Sequence, residues 1–123
     1  MTETTERSPE DFLPLRPVEF HVLLSLAGGA RHGYGIIRDA EARTGEAVIP
    51  DVGTLYRALR RMVDAGLIEP ATAAPGDAGS ADGRRQYYDI TPLGRRVAEA
   101  ESRRLASLVS AARAGGFLGA GEA

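Results

Sequence analysis

Every basic side chain in this sequence is an arginine: lysine is absent, and 15 Arg stand against 17 Asp and Glu for a formal net charge of -2. The guanidinium is planar and forked, so where such residues cluster they suit phosphate oxygens and the guanine edge better than a point charge would. Their distribution is uneven. Residues 1 to 51 hold five Arg and nine acids, a net of -4, whereas Val52 to Val63 holds three Arg and no acid. On a helical wheel of that stretch Gly53, Thr54, Arg57, Arg60 and Arg61 fall on one side, and Val52, Leu55, Leu59, Met62, Val63 and Gly66 on the other. The chemistry this implies is polyanion binding. A helix N-terminus offers free N–H groups to phosphate, the arginines add charge, and small Gly53 and Thr54 let the helix end come close. An ordinary amphipathic helix with a solvated outer face has the same pattern. A second basic pair, Arg84-Arg85, precedes Tyr87-Tyr88. It suits either the flank of a nucleic-acid groove or a charged hairpin edge that deters strand pairing. Of the two tyrosines, strand alternation turns one outward if the other packs inward.

Catalysis finds little support. The only histidines are His21 and His32, and no motif places an acid or a nucleophile with either. His32 suits a helix cap or a nucleic-acid contact, and His21 a structural role. With no Cys there is no thiolate nucleophile, disulfide or Cys-ligated metal, and no Asp/Glu group has coordination spacing. The expectation is no enzyme activity, no cofactor and no metal. The polar N-terminus lacks the pattern of a signal peptide, and no apolar run approaches the ~20 residues that cross a bilayer. A cytoplasmic protein with no membrane association follows.

The elements that must position these residues can be read from caps and spacing. At 123 residues with 43% hydrophobic content, the chain suits one domain. Residues 1–11 read as a disordered leader, with order beginning at Phe12. Pro17 opens a helix carrying Val18, Val22, Leu23 and Leu26, which Gly28-Gly29 stops. A second helix runs from about His32 to Arg43, and Asp51 caps a third that ends at Gly66. Leu67–Thr72 and Arg85–Ile90 read as two strands of a hairpin with a long Gly- and Pro-containing tip. Thr91-Pro92 then starts the longest helix, with Leu93, Val97, Leu105, Leu108, Val109 and Ala112 on one stripe up to Gly115-Gly116. At about 1.5 Å per residue that helix is ~35 Å long, as wide as a domain this small, so its far half needs a partner subunit. Residues 117–123 read as a flexible tail.

Helix, helix, helix, strand, long loop, strand, helix is the order of an α+β, mainly helical winged helix-turn-helix with a two-stranded wing. The domain spans residues 12–91, and 92–116 form a dimerisation helix. Four blocks carry a closer likeness: His32-Gly33-Tyr34-Gly35-Ile36-Ile37, Gly53-Thr54-Leu55-Tyr56-Arg57-Ala58-Leu59, Gly66-Leu67-Ile68, and Arg84-Arg85-Gln86-Tyr87-Tyr88-Asp89-Ile90-Thr91-Pro92-Leu93-Gly94. In this order and separation they resemble the PadR family of bacterial transcriptional regulators, over roughly Leu13 to Leu108. The resemblance implies that Thr54, Tyr56 and Arg57 meet the major groove, that His32 and Tyr34 touch the DNA backbone, and that Arg84 and Arg85 belong to the wing. It also implies dimerisation through the last helix, whose single copy resembles the shorter PadR subtype. By its wheel position Tyr56 reads as half core and half contact.

Three features depart from the family pattern. The hairpin tip carries Asp77 and Asp82 without a base, position 16 is Arg where a Thr or Ser cap is usual, and the absence of Trp removes one mode of aromatic-drug binding. The resulting expectation is a homodimeric repressor on double-stranded DNA with an inverted-repeat operator. Its DNA-binding residues would be His32, Tyr34, Gly53, Thr54, Tyr56, Arg57, Arg60, Arg61, Arg84 and Arg85, and its dimer residues Val97, Leu105, Leu108, Val109 and Ala112. The alternative is a winged-helix module that binds protein and leaves DNA alone, which the overall acidity suits. A small-molecule effector is compatible with either reading, and no residue names it.

Overall fold

In the computed structural model, which describes residues 7–45, 49–72 and 85–119, each long helix begins where a local acceptor meets its free N–H groups. A 3-10 helix at Pro9–Phe12 is followed by α1 (Pro17–Leu26), β1 (Arg31–His32), α2 (Gly33–Thr44), α3 (Val52–Asp64), β2 (Ile68–Ala71), β3 (Tyr87–Ile90) and α4 (Pro92–Ala114). The Asp51 carboxylate accepts from the Thr54 N–H at 2.7 Å to open α3, and the Thr91 hydroxyl accepts from the Gly94 N–H at 3.0 Å to open α4. At α1 Arg16 supplies no side-chain cap. Pro17 takes the first helical position, and the Glu19 carboxylate reaches back to the Arg16 N–H at 3.3 Å.

Two expectations are corrected here. The 3-10 helix lies mostly within the stretch read as a disordered leader, and order reaches back before Phe12. The Asp11 carboxylate accepts from the Ser8 N–H at 3.1 Å, the Arg7 guanidinium lies 4.0 Å over the Phe12 ring, and Phe12 packs against the core. The sheet has three strands rather than two. Its order is β1-β3-β2, antiparallel throughout, with Arg31 opposite Tyr88 and His32 opposite Tyr87 on one side of β3, and Ile68 opposite Ile90 on the other.

The core gathers the apolar stripes of all four helices. Val22, Leu23 and Leu26 of α1 meet Ile36 of α2 and Leu55, Leu59 and Met62 of α3, with Leu67 in the turn after α3 and Ile68 of β2 closing it. Val97 of α4 belongs to the same core at 0% exposure, which corrects its place on the stripe left for a partner. The core ends one turn later at Glu101. That carboxylate is 2% exposed and accepts from the Leu15 N–H at 3.3 Å and from Arg104 in a two-pronged pair at 2.7 and 2.8 Å. Beyond it Leu105 and Ala112 are half-buried, and Leu108 and Val109 are exposed.

Candidate nucleic-acid interface

The start of α3 is built around Asp51. The N–H and hydroxyl of Thr54, and more weakly Arg57, hold its carboxyl below the usual carboxylate range. Gly53 carries no side chain where a Cβ would stand 3.2 Å from Asp51 Oδ1 and 3.3 Å from Arg57 Nη1, so the Arg57 guanidinium folds across the helix end. From there it donates to the Thr54 hydroxyl at 3.3 Å. Arg60 is exposed one turn on. Among the described residues neither Arg57 nor Arg60 forms an ion pair within 4.0 Å. Arg61 differs: its Nε donates to Glu19 of α1 at 3.2 Å, which turns it toward the protomer.

Tyr56 is half exposed, as its margin position on the wheel suggested, and its phenol lies over the backbone at Gly33, where an added Cβ would come within 2.8 Å of the hydroxyl. This contact locks the first turns of α2 and α3 together.

A second basic group forms where α2 begins. His32 caps the helix, its Nδ1 accepting from the Gly35 N–H at 3.1 Å, and its Nε2 lies 2.8 Å from Arg85 Nη1. The Arg85 and Arg38 guanidiniums lie 5.8 and 6.0 Å from the centre of the exposed Tyr34 ring. His32, Tyr34 and Arg85 thus come together with an additional cation, Arg38, that sequence reading did not assign. Arg84 lies outside the described residues. Neither tyrosine of the pair is turned out to solvent: Tyr87 is buried edge-on against His32 at 5.1 Å, and Tyr88 packs against the core. Burial, helped by neighbouring Tyr56 and opposed by Arg60, pushes the Tyr88 hydroxyl up. The outward tyrosine expected from strand alternation is absent because His32, opposite Tyr87 on the neighbouring strand β1, packs its ring against Tyr87 on the face turned away from Tyr88.

His21 lies elsewhere, with Nδ1 3.2 Å from Arg43, and burial and then the Arg43 charge push its ring pKa down. Among the described residues no three His, Asp or Glu side chains are grouped to hold a metal ion, and no helix is long and apolar enough to cross a membrane. Sequence reading missed Glu19 as the partner of Arg61 and β1 as the strand joining the two basic groups. Neither leaves a local signal, since the first pair is separated by 42 residues and a two-residue strand shows no alternation.

Three helices ending in an exposed arginine face, followed by a hairpin whose base joins that face, define a winged helix-turn-helix DNA-binding protein. The chain belongs to the PadR-like family of transcriptional regulators, whose family model matches residues 22–100. It is therefore a DNA-binding transcriptional regulator and not an enzyme. Among solved structures it is similar to a transcriptional regulator from Clostridium thermocellum, with 26% identity, a TM-score of 0.63, and 76% of this chain and 84% of that one covered. It is also similar to a PadR family transcription regulator from Clostridium difficile, at 25% identity and TM-score 0.66, covering 83% of this chain and 98% of that one. A PadR-like regulator from Bacillus cereus shares the fold at 23% identity and TM-score 0.63, covering 83% and 92%. No curated protein matches.

Proposed function

We propose that this regulator is a homodimeric repressor that binds an inverted-repeat operator, with α3 of each protomer in successive major grooves about one turn, or ~34 Å, apart. The observation that carries the proposal is the outer face of α3, where Arg57 and Arg60 stand exposed at a helix start whose Gly53 permits close approach. Thr54, Tyr56 and Arg57 would address the groove. His32, Tyr34 and Arg85 would address the backbone beside it, with Arg61 a secondary contributor because Glu19 already engages it. Dimerisation is supported by the distal half of α4, where Leu108 at 53% and Val109 at 38% exposure continue the line of half-buried Leu105 and Ala112 past the end of the protomer core.

The test is binding to a palindromic duplex selected from the promoter beside the coding region, set against a scrambled duplex of the same composition at moderate salt. Strong preference for the palindrome, with one dimer bound per site, is the expected result. Equal binding to both duplexes would overturn the proposal. Charge reversal at Arg57 should abolish retention on the palindrome, whereas a module that binds only protein would be unaffected.

A further inference from the structure

Val52, the first residue of α3, sits on the apolar side of the helical wheel and yet is 48% exposed. It is one of three large apolar side chains exposed at one place, with Tyr34 at 58% and Tyr56 at 48%. Val52 and Tyr56 are four residues apart and share a helix face, and Tyr34 lies on the first turn of α2. Between the two helix starts these residues wall a small cleft of about 30 Å³, completed by Gly33, Ile37 and Leu55. Its lining is predominantly apolar.

A cleft this small has room for little more than a water molecule, and a water held there would need two to four polar partners that an apolar lining does not supply. A single methyl group fits the size and the chemistry. Of the four bases only thymine presents a methyl in the major groove, and apolar side chains are its usual partners. The setting agrees: Arg57 folds over the same helix end, and Arg38 and Arg85 flank Tyr34, so cations for phosphate stand beside the cleft.

We propose that the cleft between the starts of α2 and α3 receives the 5-methyl group of a thymine, making Val52 a specificity-determining residue that reads one T in each half-site by apolar fit. This rests on the reading of α3 as the helix that enters the major groove.

Deoxyuridine removes the methyl and leaves every hydrogen bond of the base pair in place, so it tests the inference directly. The full chain is used to enrich its preferred duplex from a random pool, and each thymine of that duplex is then replaced in turn. Burying one methyl corresponds to about fourfold in affinity, or about sixteenfold for the two half-sites of a symmetric duplex. The expected result is one symmetry-related pair of positions where deoxyuridine weakens binding by about that amount. With Val52→Ala the same replacement should cost less than about twofold, because the methyl no longer meets a wall. Val52 is half exposed, so the variant should melt within a degree or two of the parent, which a thermal scan checks. An enriched duplex with a flat deoxyuridine profile, or an undiminished effect in Val52→Ala, overturns the methyl site alone. Failure to enrich any duplex overturns the DNA-binding reading with it.

Discussion

Replacing Arg60 and Arg61 by alanine one at a time separates a guanidinium that faces solvent from a neighbour already engaged within the protomer. Arg60 has no ion pair within 4.0 Å among the described residues, whereas Arg61 Nε lies 3.2 Å from the Glu19 carboxylate. Each phosphate neutralised on duplex DNA contributes about -0.9 to the slope of log affinity against log salt. In a dimer with two copies of Arg60, Arg60→Ala should therefore flatten that slope by about 1.8. Between about 50 and 200 mM salt this makes the loss of affinity about twelvefold smaller than in the parent protein. Arg61→Ala should flatten the slope by less than about 0.5, because Glu19 already balances the charge. Glu19→Gln should steepen it by releasing Arg61. Fluorescence anisotropy of a labelled operator duplex, titrated at four or five salt concentrations, reads all three slopes. Equal flattening by Arg60→Ala and Arg61→Ala would refute the reasoning, since the ion pair would then have no bearing on the DNA face.

Three further outcomes are expected. The Glu101 carboxyl is held below its ordinary range first by hydrogen bonds from Arg104, against desolvation, and then by the Arg104 charge and the Leu15 N–H. Its stabilising contribution is therefore present above the ordinary carboxylate pKa and is lost as pH falls through the lowered one. Glu101→Gln should melt below the parent near neutral pH, with the gap closing under acid conditions, and a gap that widens toward low pH would contradict the assignment. Gly94→Ala should cost at least about 2 kcal/mol in urea unfolding, because the new Cβ runs into the backbone carbonyl of Leu67, which cannot swing aside; a loss under about 0.5 kcal/mol would be inconsistent with that packing. Leu108→Glu should convert the proposed dimer to monomers in sedimentation velocity at micromolar concentration while leaving the protomer's far-ultraviolet circular dichroism unchanged. A variant that remains dimeric places the interface elsewhere.

The helix boundaries were legible because their causes are local. Asp51 and Thr91-Pro92 announce the starts of α3 and α4 within four residues of chain, and Gly45, in the left-handed region at φ 80°, ends α2 one residue past the Arg43 read as its end. What sequence spacing could not deliver was the reach of the core along α4. Val97 and Leu105 lie on one stripe, yet the first is sealed in the protomer and the second only half covered. The boundary between them is drawn by Leu15, whose N–H meets Glu101 across 86 residues of chain. Glu101 falls on that same stripe of the helical wheel, and only the distant Leu15 N–H and the Arg104 pair show how a carboxylate is accommodated there. The same limit governs the arginines: Arg60 and Arg61 are adjacent and equally outward in pattern, and only the distant Glu19 distinguishes them. β1 was invisible because its two residues double as the cap and entry of α2.

α4 runs unbroken from the edge of the wing to its exposed outer stripe, and in the proposed dimer that continuity makes it a rigid axle. Adding one residue beyond Glu101 would spin Leu108 and Val109 by about 100° relative to the DNA-reading half and advance them by only about 1.5 Å. The two reading heads would lose their common phase on the duplex long before the chain lost its stability. Seven added residues nearly restore the azimuth while lengthening the axle by about 10 Å, about the rise of three base pairs. Relatives that serve differently spaced half-sites are accordingly expected to differ in this helix by whole heptads, the step at which orientation survives a change of length.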